Sequence, residues 1–253
     1  MENLRIIAVD ENNLGKEDIC CALADKKSRQ GVENKTAWMS CRFREGLRFR
    51  KLNARGKVFI EYLPAEYAWK PIDAPGYMLI DCLWVSGQFK GHGWAGKLLD
   101  ECIADSEGMN GVVVVTGNKK KPFLTDKSFF VKHGFETCDV APPYFELLAL
   151  KLKDAPLPRF RDSAKHPKVA DQDGLVIVYT DQCPFTAFYV SEMISAAVDA
   201  GVPAKAIRMD TVESAKNAPS AFGTMGVFYN GEFVSHEIMS KPKMSKLLGA
   251  LKK

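Results

Sequence analysis

The stretch GHGWAGKLL, residues 91–99, fits or nearly fits three phosphate-binding patterns at once. Gly91, Gly93 and Gly96 spell G-x-G-x-x-G, the dinucleotide fingerprint. Gly91 to Lys97 spell G-x-x-x-x-G-K and lack only the Ser or Thr of a P-loop. With Gln88, the first two glycines also spell Q-x-x-G-x-G, a turn suited to a pyrophosphate such as that of coenzyme A.

All three patterns need a strand running into a helix, because a helix N-terminus offers free N–H groups and the positive end of a dipole. The flanks supply that context. GYMLIDCLWV (76–85) is an apolar run rich in strand formers. WAGKLLDECIADS then spaces Trp94, Leu98, Leu99, Cys102 and Ile103 as one face of a helix, and GVVVVTG follows as a second buried strand. A dinucleotide site should carry an acidic residue about 20 positions on, and that count from Gly96 reaches VVTGN, which has no carboxylate. Leu98 stands where a P-loop needs its hydroxyl. The third pattern asks only for exposed amides, glycines that permit close approach, and a helix behind them.

Bulk properties set the context. The chain has 253 residues, room for one large or two ordinary domains. Its 35 basic and 31 acidic residues, net +4, are too balanced to point to nucleic acid. MENLRIIAVDENN lacks a basic segment followed by an apolar one, and no apolar run reaches the roughly 18 residues of a membrane span. Seven cysteines without metal-ligand spacing read as reduced thiols of a cytoplasmic protein with no metal. KDAPLPRFRDSAKHPKVADQDG is proline-rich and charged and breaks the periodicity. The expected organisation is a domain over 1–153, a linker over 154–172 and a second domain over 173–253.

From Leu4 to Leu152 the order reads strand, two helices, strands, the long strand 76–85, glycine turn, helix, strand, helix, strand. With LWVSGQFKGHGWAGKLL and the later FFVKHGF, that order resembles the GNAT superfamily of N-acetyltransferases. VFIEYLPAEYAWKPI and APPYFELLALKL resemble its YoaP-like branch. The resemblance implies an α/β (α+β) fold, a mixed sheet with flanking helices, and acetyl-CoA as co-substrate. It implies that backbone groups near Leu83, Trp84 and Val85 pair with the pantetheine arm, as an added strand would. Amides from Gln88, Phe89, Lys90, Gly91, His92, Gly93 and Trp94 would cradle the pyrophosphate. Asn118 would face the cofactor, with Lys119, Lys120 and Lys121 near its 3′-phosphate.

In much of the superfamily a Tyr just before x-K-x-G-F protonates the leaving thiolate; here that position is Phe130, preceded by Phe129. Substitute acids are Tyr144 and Cys82, and the bases are Glu61, Glu66 or Asp81. Each has a plainer reading: Tyr144 as the start of a strand, Glu61 as a solvated strand residue, His133 as a helix end. Cys20 and Cys21 are adjacent on an expected helix and face different ways.

The chain then restarts with GLVIVYTDQCPFTAFYVSEMISAAVDAGV, a strand, a turn and a helix expected from Pro184 or Phe185. A second strand, a helix, a hairpin turning at Asn230-Gly231 and a last helix follow. This order resembles the thioredoxin fold, with Cys183 at the nucleophile position of C-P-F-T. Thr186 replaces the second cysteine, and Gly223 and Thr224 stand where the family places a proline. The expected function is transfer of an acetyl group to a primary amine of a small molecule or peptide. An acyl-CoA-binding or monothiol sensor protein with little transfer, or a redox protein acting through Cys183, remains open at this point.

Overall fold

The computed structural model describes residues 4–19, 22, 25–170 and 172–252. The chain divides into two units. One comprises Met1–Ala24, Thr36–Ala68 and Ile72–Arg159; the other comprises Asp25–Lys35, Trp69–Pro71 and Phe160–Lys253. Two short segments from the first half of the sequence are therefore counted with the second unit.

The chain runs through β1 (Ile6–Val9), α1 (Arg29–Arg42), β2 (Arg48–Leu52), β3 (Val58–Pro64), β4 (Ile72–Asp73) and β5 (Tyr77–Val85). It continues through α2 (Trp94–Asp105), β6 (Gly111–Gly117), α3 (Lys127–Lys132), β7 (Glu136–Ala141), β8 (Phe145–Lys151) and β9 (Arg159–Phe160). The first unit is built on a seven-stranded sheet in the order β1-β2-β3-β5-β6-β8-β7. Only β5 and β6 run parallel, so the sheet is mixed. Valines at 112–115 place β-branched side chains on both faces of β6, and every position of that strand is buried. Leu98, Leu99 and Cys102 of α2 pack onto Ile60, Tyr62, Ile80, Val112 and Val114 in the main core.

Between β1 and β2 the sequence order led to two helices, whereas the described residues hold one α-helix, α1. Residues 11–16 form turns, and Asn13 ties the segment back on itself: its Nδ2 donates to Ala8 O at 2.9 Å and its Oδ1 accepts from Asp10 N. Cys20 and Cys21 lie outside the described residues.

The second unit adds α4 (Asp162–Lys165), β10 (Leu175–Tyr179), α5 (Thr186–Asp199), β11 (Ala204–Arg208) and α6 (Val212–Lys216). It ends with β12 (Met225–Tyr229), β13 (Glu232–Ser235) and α7 (Lys241–Leu251). Its sheet order is β11-β10-β12-β13, with β10 parallel to β11 and antiparallel to β12. Asn230 and Gly231 turn the β12–β13 hairpin with φ of 48° and 81°, the left-handed pair that a tight hairpin needs. α5 begins at Thr186, just past the expected start, because Thr186 turns its N–H and its hydroxyl back onto Cys183 O.

Candidate active site

The central strands of the first unit part company. β5 and β6 pair from Tyr77↔Gly111 to Ile80↔Val114 and no further. Beyond that point β5 stays with β3, out to Val85↔Val58, and β6 stays with β8, out to Gly117↔Phe145. A bulge marks the parting: Glu61 pairs with Cys82 and Tyr62 with Ile80, which leaves Asp81 as the extra residue. A bulged strand bends and twists more strongly, so Asp81 sits where β5 swings away.

Antiparallel strands turn alternate residues toward a given neighbour. Ser86 N donates to Lys57 O at 3.0 Å on the β3 side, while Leu83 O accepts from Thr125 Oγ1 at 3.2 Å on the other. Leu83 and Val85 therefore direct backbone groups into the gap, and the Trp84 backbone belongs to the β3 side. Thr125, unremarked in the sequence, reaches across from the segment that follows β6.

The glycine turn ends β5. A single 3-10 turn, Gly87–Phe89, leads into Gly91 and Gly93, with φ of 78° and 76°. A Cβ at either glycine would meet nothing within 4 Å, so backbone conformation rather than crowding requires them. Phe89, expected among the cradle residues, has a buried side chain that packs against Gly56. Gln88, Lys90, Gly91, His92 and Gly93 are exposed, and Trp94 is half-buried with Lys97 Nζ 4.5 Å from its ring centroid. Lys90 N donates to Gly87 O at 3.2 Å, and the next amide with an acceptor is Lys97 N, which donates to Gly93 O at 3.1 Å. The N–H groups of Gly91 to Gly96 donate to no acceptor among the described residues. A row of amides at the start of a three-turn helix offers the donors and the positive dipole end that an anion favours.

The helix behind the turn is fixed at its far end. Tyr62 Oη donates to Asp105 Oδ2 at 2.6 Å, and Arg50 Nη2 donates to the same oxygen at 2.7 Å. Burial, and then the bond to Asp105, pushes the Tyr62 phenol well above its usual range. Burial works against the Asp105 carboxylate, yet hydrogen bonds from Tyr62 and Arg50 hold it below its usual range. The partner of Tyr62, 43 residues on, has no signature in the sequence.

The acid and base candidates divide between the two arms of the gap. Glu61 is 1% exposed, so the reading of a solvated strand residue does not hold: β3 is an inner strand covered on both faces. It stands opposite Cys82 across the strand pair, beside the bulge at Asp81. Glu66 instead accepts Gly76 N at 2.6 Å and holds a turn. On the other arm, Asn118 N donates to Tyr144 O at 2.8 Å at the ends of β6 and β8. Tyr144 is half-buried, with Lys121 Nζ 4.0 Å from its ring centroid, while Asn118, Lys119 and Lys120 are exposed. Phe130 is fully buried in the core, 5.2 Å from Phe135 by ring centroids. His133 caps α3, its Nδ1 at 2.8 Å from Phe129 O.

Cys183 lies in the second unit, half-buried, at the turn before α5. No group of three or more metal-ligating side chains occurs among the described residues, and no helix there is long and apolar enough to cross a membrane.

Comparison with known proteins bears on both units. The family described as YoaP-like matches residues 203–246. YoaP of Bacillus subtilis (strain 168), an uncharacterized N-acetyltransferase, is 43% identical over 248 residues, covering 97% of this chain and 98% of that protein. Among solved structures, a GNAT-family acetyltransferase from Staphylococcus aureus Mu50 is 14% identical over 59% of this chain and 99% of its own, with a TM-score of 0.42. A GNAT-family acetyltransferase from Brucella melitensis in complex with acetyl-CoA is 17% identical over 62% of this chain and 93% of its own, with a TM-score of 0.39. The identity to the Bacillus protein runs almost end to end, and on that ground the chain belongs to the YoaP family of N-acetyltransferases.

Proposed function

We propose that this protein transfers the acetyl group of acetyl-CoA to a primary amine of a small molecule or peptide in the cytoplasm. The row of outward amides from Gly91 to Gly96, beside the parted strands β5 and β6, is the observation that carries the reading. Those amides and the Gln88 to Trp94 turn hold the pyrophosphate. Leu83 and Val85 offer backbone groups to the pantetheine arm, which extends the sheet in the gap. Asn118 and the lysines at 119–121 flank the same end from the other arm and meet the adenosine phosphates.

The thioester carbonyl then lies near the bulge, next to Glu61 and Asp81. The amine attacks the carbonyl carbon and loses its extra proton to one of these carboxylates. The C–S bond breaks, and the departing sulfur takes a proton from Cys82, which pairs with Glu61 beside the bulge, in place of the phenol that Phe130 lacks. Glu61 is favoured as base by its place: it is buried and pairs with Cys82 beside the bulge. The strand order of the second unit supports a thioredoxin-like reading of that unit, with no part in the transfer itself.

The test is release of free coenzyme A thiol on mixing protein, acetyl-CoA and a panel of polyamines, amino acids and peptides. Amine-dependent release is expected for at least one acceptor class. Bound acetyl-CoA with no release above hydrolysis for any amine would defeat the transfer reading and leave a binding protein.

A further inference from the structure

The second unit holds two lysines that are almost wholly out of water, Lys35 and Lys70, each 3% exposed. Lys35 Nζ donates to Gln182 O at 2.8 Å, and Lys70 Nζ donates to Phe222 O at 3.0 Å. Both acceptors sit in turns at one end of the four-stranded sheet. One turn runs from Thr180 to Pro184 after β10 and carries Cys183; the other runs from Phe222 to Thr224 before β12. Thr180 N donates to Thr224 O at 3.0 Å, and buried Gln182 accepts both threonine hydroxyls, so the two turns form one surface.

Backbone meets backbone at that surface. A Cβ on Gly31 would lie 1.8 Å from Pro184 O, and one on Gly223 would lie 2.8 Å from Trp69 O. Asn34 Nδ2 donates to Asp181 Oδ1 at 3.3 Å, and Lys27 Nζ stands 5.5 Å from the Phe188 ring centroid. Desolvating an ammonium group is costly unless fixed acceptors await it. Two such groups, anchored on carbonyls of two adjoining turns, mark a surface shaped around the segments that bear them. The carboxyl ends of parallel strands are where an open α/β sheet ordinarily leaves a crevice for a ligand. Here β10 and β11 end at that level, and the chain itself fills the place.

We infer that the Cys183 end of this unit is an internal docking surface. Its occupants are the protein's own Asp25–Lys35 and Trp69–Pro71 segments, with Lys35 and Lys70 as anchors. Exchange of a disulfide requires a sulfur of the partner to approach Cys183 Sγ with its peptide chain alongside. Gly31 and Lys35 occupy the flank of Pro184 and Gln182 that such a chain would take, while a small reagent still reaches the half-buried thiol. The inference stands whether or not acetyl-CoA binds the first unit.

The experiment uses the full-length protein and follows Cys183 by peptide mass spectrometry. Its rates with iodoacetamide and with a disulfide-bonded ten-residue peptide are each divided by those of a short, unstructured cysteine peptide. The internal surface predicts that Cys183 discriminates against the bulky reagent by at least tenfold relative to the small one. Gly31→Ala, whose Cβ collides with Pro184 O, should push the segment away and remove most of that discrimination. If Gly31→Ala does not fold, Lys35→Met and Lys70→Met read the same ratio. Equal normalised rates in the wild-type protein would overturn the inference, as would folded variants whose ratio matches the wild type.

Discussion

At the scale of single residues, Glu61 separates what a sequence carries from what a fold adds. KVFIEYL alternates, and alternation placed Glu61 opposite Ile60 and Tyr62, as observed. Alternation says which face a residue takes, but not whether that face meets water. β3 proved to be an inner strand, so the carboxylate is buried beside the bulge. Gly91 and Gly93 were readable for a different reason, since a motif of glycines at a strand-to-helix turn names a backbone conformation directly. On the proposed chemistry, Glu61→Gln should lower kcat by about 10²–10⁴-fold, the usual worth of a positioned base. Acetyl-CoA affinity should stay close to wild type, because the side chain faces the transferred group and not the phosphates. Steady-state kinetics with a responsive amine, paired with a binding titration, checks both. An unchanged kcat would move the role to Asp81.

At the scale of elements, the parted strands and the anchored helix form one device. The bulge at Asp81 opens the sheet, and α2 delivers its amides to the mouth of the opening only if its axis is held. Tyr62 and Arg50 hold it through Asp105. Asp105→Asn weakens two charge-assisted bonds, and a loss of about 1–3 kcal/mol in unfolding free energy is expected. The pH dependence follows from the depressed Asp105 carboxyl. A group whose pKa falls on folding adds stability above its unfolded value, near 3.9, and loses it as pH drops through the folded value. The gap between wild type and variant in denaturant titrations should therefore be constant at neutral pH and close below about pH 4. A gap that persists there would mean that shape, not charge, secures the helix.

The elements themselves were largely legible. The valine run of β6 and the helical spacing of α2 each have a period that solvent exposure enforces. The bulge had no signal, because a single extra residue in YMLIDCLWV leaves its composition unchanged. The turns over residues 11–16 had no signal either, because Asn13 binds its own backbone, a local bond that hydropathy does not register.

At the scale of the molecule, the strand-and-helix order of each unit could be followed along the chain, since consecutive elements build each sheet. The assignment of Asp25–Lys35 and Trp69–Pro71 to the second unit could not. Lys35 sits in a polar stretch, RQGVENK, that reads as solvated surface. The carbonyl of Gln182, 147 residues away, is a partner that its burial calls for. Long-range partners of this kind leave no period and no motif, and they are where a linear reading stops.

The central claim is that the Gly91–Gly96 amides hold acetyl-CoA, and calorimetric titration of the full-length protein tests it most directly. The wild type should bind with a Kd on the order of 1 μM, about −8 kcal/mol. Gly91→Val and Gly93→Val force a branched side chain into left-handed backbone that costs roughly 1–2 kcal/mol even without a clash. Each folded variant should lose at least tenfold in affinity, about 1.4 kcal/mol. No heat with the wild type, or binding that is indifferent to both glycines, would contradict the account.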